Sequence, residues 1–282
     1  MRKWPIAATA ALALGLAACS DNADTPGSSQ STVSHVHGLG VDPANGRLYV
    51  ATHEGIFTPG KDNEAQRVGD SKDDFMGFTV AKSKTLLASG HPAPGADAPA
   101  NRGLIQSTDS GNTWKTRSLA GEVDFHALDY VGGTIYGLDS TGGLLRVSQD
   151  GVSWDDRARL DALDIAVNPD DANTVLATTA DGVAKSTDGG KTFTAVQQPV
   201  MAFVSWPKAD ALYGIDTASG LHHSSDGGST WKKTTTVPGG QPQALTAVDA
   251  KRVLAATQDG IYESKDGGKT FAKRLDVSDG DR

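Results

Sequence analysis

One short segment recurs five times along the chain, and it constrains the fold more than any other feature. Its complete form is Ser-x-Asp-x-Gly-x-Thr followed by Trp or Phe, and complete copies begin at Ser107, Ser186, Ser224 and Ser264. A shortened copy begins at Ser148. Successive copies start about 40 residues apart, and such a period is typical of proteins built from repeated structural units.

The composition of this segment predicts a tight turn that leads into a strand. Asp favours turns because its carboxylate accepts hydrogen bonds from nearby backbone N–H groups, and Gly tolerates positive φ. The Thr and the aromatic residue then enter the next strand, where the ring packs between neighbouring sheets. The segments resemble the Asp-box, or BNR, repeat, so their aspartates are expected to be structural and not catalytic. These aspartates are Asp109, Asp150, Asp188, Asp226 and Asp266.

Each unit also contains a regular series of short apolar segments. In the last unit these are residues 245–248, 253–257 and 260–262, followed by the repeated turn and a fourth segment. Short strands separated by turn residues predict an all-β fold. Six first segments are present, which predicts a six-bladed β-propeller with four strands per blade. They begin near His37, Met76, His126, Leu163, Met201 and Gln243.

The composition indicates a folded, acidic protein. Its formal net charge is −8, whereas surfaces that bind nucleic acid need clustered basic residues, so nucleic acid is not expected as a partner. Many of the 33 glycines fall in the predicted turns. The chain contains a single cysteine, Cys19, which excludes a disulfide framework.

The N-terminal segment has the layout of a secretory signal. Arg2 and Lys3 precede an apolar stretch at residues 6–18 that is too short to span a bilayer stably. The stretch ends in Leu-Ala-Ala-Cys19, which resembles the bacterial lipobox, in which the Cys is lipidated and becomes the new N-terminus. An ordinary signal peptide with a chance cysteine is the alternative.

These features predict four segments. They are a lipoprotein signal peptide at residues 1–18, a flexible tether at 19–34 that begins with lipidated Cys19, a propeller at 35–276 and a C-terminal tail at 277–282. A lipid on Cys19 would anchor the protein to a bacterial membrane, outside the cytoplasm, at the cell surface or in the periplasm.

The propeller fold implies where a binding site would lie. In propellers the first strand of each blade lines a central channel, and its start opens on the same face as the turn after the second strand. We call this the top face. Aligning the first segments and the ends of the second segments predicts a top-face ligand site. Its residues are His37, His53, Met76, His91, His126 and Met201.

A soft transition metal, such as copper, is one expected ligand of this face. Thioether and imidazole groups together suit Cu(I), and imidazole alone suits Cu(II) or Zn(II). The predicted metal ligands are His37, Met76, His91 and His126. Two other interpretations remain open. The methionines could fill the channel mouth as core residues, or the face could hold a glycan or another small polar ligand.

A further resemblance concerns catalysis. Residues 37–39, 74–79, 89–92 and 124–128 are similar to a group of bacterial lipoproteins labelled glycosyl-hydrolase-like, which implies glycoside hydrolysis as an alternative function. A sialidase would need an arginine cluster, and no arginine falls at a first-segment start. A different glycosidase needs two carboxylates. The candidates are Glu54, Asp74, Asp124 and Asp164.

Protein binding is the third predicted function, because Asp-box propellers also include assembly factors and receptor ectodomains. The long insertion at residues 92–101 would lie on the top face. It could cover a ligand or contact a partner, or it could be a neutral surface insertion.

Overall fold

The computed structural model describes Met1 and residues 33–278, and the latter form six β-sheets arranged as the blades of a propeller. The predicted six-bladed all-β fold is therefore confirmed. The signal peptide, Cys19 and most of the predicted tether lie outside the described residues. Within the described part, no helix is long and apolar enough to cross a membrane.

The chain enters through a short strand, β1 (Val33–Ser34). Blade 1 consists of β2 (Val36–Val41), β3 (Leu48–Thr52), β4 (Gly55–Pro59) and β5 (Ala65–Arg67), with a 3-10 turn at Lys61–Asn63. Blade 2 consists of β6 (Asp74–Lys82), β7 (Thr85–His91), β8 (Leu104–Ser107) and β9 (Lys115–Ser118). Blade 3 consists of β10 (Phe125–Val131), β11 (Thr134–Asp139), β12 (Leu144–Ser148) and β13 (Asp155–Arg159).

The second half of the ring repeats this pattern. Blade 4 consists of β14 (Asp164–Asn168), β15 (Asp171–Thr179), β16 (Gly182–Ser186) and β17 (Thr194–Gln197). Blade 5 consists of β18 (Met201–Ser205), β19 (Leu212–Asp216), β20 (Gly220–Ser224) and β21 (Lys232–Thr236). Blade 6 consists of β22 (Pro242–Ala247), β23 (Val253–Thr257), β24 (Gly260–Ser264) and β25 (Ala272–Ser278).

The two ends of the chain close the ring together. Strand β1 pairs in parallel with β25, and Val33 lies opposite Val277. The backbone N–H of Val36 donates to Oε1 of Gln243 at 2.9 Å, which ties blade 1 to blade 6. The propeller therefore begins two residues before the predicted boundary and includes Val277 and Ser278, which were assigned to the tail, because both ends of the chain complete the last sheet.

Each of the other blades is tied to the next by one side chain that accepts a backbone N–H. The same kind of bond thus recurs around the ring, and in blades 3 to 6 it joins neighbouring first strands. The acceptors and donors are Asp42 with Lys84 (3.0 Å), Ser89 with Phe125 (3.0 Å), Asp129 with Val167 (2.8 Å), Asp164 with Val204 (2.9 Å) and Ser205 with Ala247 (3.0 Å).

The hydrophobic core lies between adjacent blades. Between blades 1 and 2, for example, Tyr49, Phe75 and Leu86 are fully buried in one cluster. Burying one such side chain stabilises the fold by roughly 1.5–3 kcal/mol. The first strands surround a central channel with a volume of about 510 Å³, whose lining includes residues of all six blades.

The repeated segment forms the turn between the third and fourth strands of a blade, at the end opposite the top face. In blade 5, Ser224 Oγ accepts from Gly228 N at 2.9 Å, and Asp226 accepts from Thr230 N at 2.8 Å and from Thr230 Oγ1 at 2.6 Å. These hydrogen bonds lower the pKa of Asp226 to about 2. The carboxylate is thus held by its own turn, as a structural residue would be.

Candidate functional site

Seven ionisable side chains gather at the top face of blades 1 to 3. They come from the starts of first strands, the ends of second strands and the residue that precedes β2. A β-bulge lies at His37 and another at His126, where the pairing with the second strand shifts by one residue. A bulge of this kind re-aims a side chain, and both histidines line the mouth of the channel.

The first cluster consists of His35, His37, His53 and Asp74. His53 Nδ1 lies 2.9 Å from Asp74 Oδ2 and 3.2 Å from His37 Nε2, and His37 Nε2 lies 3.5 Å from Asp74 Oδ1. The ring of His35 stacks on that of His53 with centroids 4.8 Å apart. One ligand nitrogen from each of the three histidines lies within 4.8 Å of the others. The cluster thus brings together three imidazoles and one carboxylate.

The electrostatics of this cluster keep His37 neutral. Burial, followed by repulsion from His53, His35 and His126, lowers the pKa of His37 to about 3. Its side chain is only 11% exposed. Asp74 Oδ1 is buried and has no hydrogen-bond partner within the described structure. The cluster therefore presents an unprotonated imidazole beside a carboxylate oxygen that can accept a further interaction.

The second cluster consists of His91, Asp124 and His126. Asp124 Oδ2 lies 2.7 Å from His126 Nε2 and 3.4 Å from His91 Nε2, and Ser140 Oγ donates to the same oxygen at 3.2 Å. Burial opposes the ionisation of Asp124, but the hydrogen bond and positive charge of His126 outweigh it and lower the pKa of Asp124. The hydrogen bond to Asp124 in turn raises the pKa of His126. Asp124 and His126 therefore each favour the charged form of the other.

The insertion at residues 92–101 packs against the second cluster. His91 Nδ1 lies 2.9 Å from the carbonyl oxygen of Ala100, which can only accept, so Nδ1 donates and Nε2 faces Asp124. Asp73 fixes both ends of the insertion: it accepts from Ala93 N at 3.0 Å and pairs with Arg102 at 3.1 Å. The insertion is thus anchored beside the cluster.

Two predicted methionines have different positions. Met76 occupies the position in blade 2 that His37 and His126 occupy in their blades, and it is half-buried. Met201 is only 2% exposed and packs with Leu176 and Val204 between blades 4 and 5. The alignment of blade 5 was wrong by one residue, because the bulge lies after Met201 and places Ala202 at the rim. Met201 is therefore a core residue and not part of the top-face site.

The structure places the predicted catalytic carboxylates in different parts of the propeller. Glu54 is exposed beside His53, and its backbone carbonyl accepts from the guanidinium of Arg67. Asp164 lies inside the channel, where burial and the nearby charge of Asp129 raise its pKa to about 7. Burial likewise raises the pKa of Asp129 to about 6. Only Asp74 and Asp124 belong to the two histidine clusters.

Sequence reasoning missed two of these residues. His35 was predicted to begin the propeller but was not included among the site residues, although its spacing from His37 matches alternate residues of an extended strand. Asp129 stands between Leu128 and Tyr130 in the apolar part of β10, and this exception to the pattern was its only signal.

Comparison with known proteins shows the fold but no family. No family model and no curated protein matches the chain. A GH74 enzyme from Niastella koreensis matches with a TM-score of 0.62 and 17% identity, covering 86% of this chain and 45% of that chain. The GH74 xyloglucanase of Xanthomonas campestris matches with a TM-score of 0.56, 17% identity and the same two coverages.

Another solved structure matches over most of its own length. The gluconolactonase XC5397 from Xanthomonas campestris has a TM-score of 0.62 and 14% identity, covering 80% of this chain and 84% of that chain. By contrast, this chain spans less than half the length of the GH74 enzymes, at 38% to 45%. At these identities the matches establish a shared β-propeller fold, with GH74 glycoside hydrolases among the structural neighbours.

Proposed function

We propose that this protein binds a divalent transition-metal ion at the first cluster of the top face. The observation that carries the proposal is the convergence of His35, His37 and His53 beside Asp74, with ligand nitrogens within 4.8 Å of one another. Zinc binds nitrogen at about 2.0–2.1 Å, so the ligands of a tetrahedral ion lie ~3.3 Å apart. The distances of 2.9, 3.2 and 3.5 Å in the cluster are close to that spacing.

The protonation state of the cluster supports metal binding. A metal can bind imidazole only through an unprotonated nitrogen, and every proton that it must displace weakens binding. The low pKa of His37 keeps this ligand unprotonated throughout the physiological range. The carboxylate of Asp74 would offset the charge of the ion. His37 thus needs no proton release before it binds a cation.

The donor set favours Zn(II) or Cu(II). Imidazole nitrogen suits zinc, copper and nickel, whereas Cu(I) prefers sulfur ligands. Met76 lies in the adjacent blade at the equivalent rim position and is the top-face thioether that could favour copper. Ligation by Met76, His91 and His126 stays a prediction.

Metal analysis of the full-length chain, purified without a histidine tag, tests the proposal. After dialysis against Zn(II) or Cu(II), we expect at least one tightly bound ion per chain by mass spectrometry. His53→Ala and Asp74→Asn should remove it, whereas His223→Ala removes an imidazole from blade 5 and should not. Metal content at the buffer background, or equal content in all variants, would contradict the proposal.

Glycoside hydrolysis is the second candidate function, because GH74 enzymes are among the structural neighbours. A glycosidase needs a carboxylic acid with a raised pKa and a second carboxylate. The low pKa of Asp124 suits a base and not an acid, and Asp74 is engaged with histidines. Incubation with xyloglucan, with Asp124→Asn as the control, tests this function. Release of reducing ends that Asp124→Asn abolishes would favour hydrolysis.

We also propose that Cys19 carries the lipid anchor and places the propeller outside the cytoplasm. The support is the signal-like residues 1–18 and the lipobox-like sequence that ends at Cys19. The wild-type protein should incorporate labelled fatty acid and sediment with membranes. Cys19→Ser should do neither. A labelled Cys19→Ser protein, or an unlabelled wild type, would argue against lipidation.

A further inference from the structure

A second small cavity lies at the seam between blades 1 and 6, at the end of the propeller opposite the histidines. It has a volume of about 150 Å³. Its charged lining consists of three arginines and one glutamate, Arg47, Arg252, Arg274 and Glu263. This concentration of positive charge contrasts with the net charge of −8 of the whole chain.

The single carboxylate of the cavity is already engaged. Glu263 is only 3% exposed, and it accepts from Arg252 Nε at 2.6 Å and from Arg274 NH1 at 2.7 Å. Both terminal nitrogens of Arg252 also lie 3.3 Å from the carbonyl oxygen of Gly46 in blade 1. Two guanidinium groups therefore share one carboxylate, which neutralises one of the two charges.

Two other arginine N–H groups of the cavity have a neutral hydrogen-bond partner or no partner. Arg47 Nε donates to the hydroxyl of Thr58 at 3.3 Å, and its guanidinium lies 5.2 Å from the ring centroid of Tyr49. Arg274 Nε is buried and has no hydrogen-bond partner within the described structure. Guanidinium groups present planar sets of N–H donors that match oxyanions, so these donors fit an anion better than any other ligand.

The cavity also lies where the repeat pattern is broken. In blades 2 to 6 the third strand ends at the Ser that starts the repeated turn, but in blade 1 it ends at Pro59 and a 3-10 turn follows. Pro59 and Thr58 line the cavity. The one blade without the repeated turn thus contributes Arg47, Thr58 and Pro59 to the cavity.

We infer that this seam cavity is a binding site for a phosphate or a phosphate monoester. Arg47 and Arg274 would donate to the oxygens of the phosphoryl group, and Arg252 would add positive charge while it holds Glu263. Because the cavity joins the first and last blades, bound phosphate would also stabilise the closed ring. The site is remote from the histidine clusters and does not depend on metal binding.

Titration of the full-length chain with inorganic phosphate tests the site. We expect saturable binding by calorimetry and a rise in Tm that exceeds the effect of sodium chloride at equal ionic strength. Glycerol phosphate should bind similarly and acetate more weakly, because acetate offers only two oxygens. A stronger response to acetate than to phosphate would identify a carboxylate site and overturn the phosphate assignment.

Arginine variants locate the binding. Arg47→Gln should weaken phosphate binding at least about tenfold, and its folding should be little affected because Arg47 is exposed. Arg274→Gln should weaken phosphate binding more than Arg47→Gln does. Arg47→Lys should bind phosphate more tightly than Arg47→Gln but less tightly than the wild type. Arg117→Gln is the control, since Arg117 donates to Asp150 O elsewhere. Equal phosphate affinity in the wild type and Arg47→Gln, or no saturable binding, would overturn the inference. Neither result depends on the metal content of the top face.

Discussion

Aspartates at the two ends of the propeller have opposite environments. At the repeated turns, Asp226 is exposed, and its oxygens accept hydrogen bonds from the side chain and backbone of its own turn. At the top face, Asp74 and Asp124 each retain a buried oxygen without a hydrogen-bond partner within the described structure, and each contacts a histidine of another segment, His53 and His91 respectively. A carboxylate whose bonds are all local stabilises a turn, whereas one that faces converging imidazoles can still bind a ligand.

The largest expected effect is on metal affinity, which should depend on Asp74 at the top face and not on Asp226 at a repeated turn. Asp74→Asn removes a charged ligand from the first cluster, so we expect the affinity for Zn(II) to fall by more than about 100-fold, since loss of an outer partner alone lowers affinity 10–100-fold. Asp226→Asn should leave affinity unchanged. Competition with a chromophoric chelator measures both. A loss of affinity in Asp226→Asn would remove the distinction between the two ends.

The second prediction concerns the stability of the repeated turns. Ser224 is buried, and its hydroxyl accepts from Gly228 N and donates to Asp226 Oδ1. Ser224→Ala leaves the buried N–H of Gly228 without its partner, which should lower the free energy of unfolding by about 1–3 kcal/mol. Urea denaturation measures this change, and zinc affinity should stay the same. An unaltered midpoint would show that the serine contributes little.

The third prediction concerns Asp164, a carboxylate that lies inside the channel and not at either end of the propeller. The folded pKa of Asp164 is about 7, above an unfolded value of about 3.9, so the folded state binds more protons in this range. The contribution of Asp164 to stability is therefore fully present below about pH 4 and is lost as the pH rises through about 7.

Asp164→Asn should remove this dependence. Relative to the wild type, the variant should gain about 1–2 kcal/mol of stability between about pH 4 and pH 8, less than the full shift implies because the channel admits water. Urea denaturation at both pH values measures the gain, with the exposed Asp161→Asn as the control. A constant difference between variant and wild type would show that Asp164 is ionised in the folded protein.

The smallest expected effect concerns a rim residue of blade 4, outside the histidine clusters of blades 1 to 3. Leu163 occupies the rim position of blade 4 that His37 and His126 occupy in their blades, and it is 54% exposed. Leu163→Ala should change the free energy of unfolding by less than about 0.5 kcal/mol. It should not alter metal affinity. A measurable loss of metal would extend the site beyond blades 1 to 3.

The sequence predicted which face of the propeller these histidines occupy because the propeller has a fixed geometry. His37, His53, His91 and His126 were assigned to this face from strand position alone, and the structure places all four there. Distances could not be predicted, because they depend on how adjacent blades rotate against each other. Nothing in the sequence indicated that His53 pairs with Asp74 of the next blade, or that His91 and His126 share Asp124.

Bulges limited the prediction further. One extra residue in a strand reverses the side to which the neighbouring side chains point. Because the bulge in blade 5 follows Met201, this residue lies in the core, while the equivalent alignment succeeded for His126. The closure of the ring could not be predicted for a related reason, since the pairing of β1 with β25 joins residues from opposite ends of the described chain.

The sequence by itself determined the number of blades, the all-β class and the turn chemistry, because these depend on local patterns that repeat about every 40 residues. Only the tertiary structure decided which histidines share a carboxylate, which methionine is buried and where the arginines converge. Those outcomes depend on side-chain contacts between blades, and the physical reason is that the packing of neighbouring blades, and not the local repeat, sets the distances between their side chains.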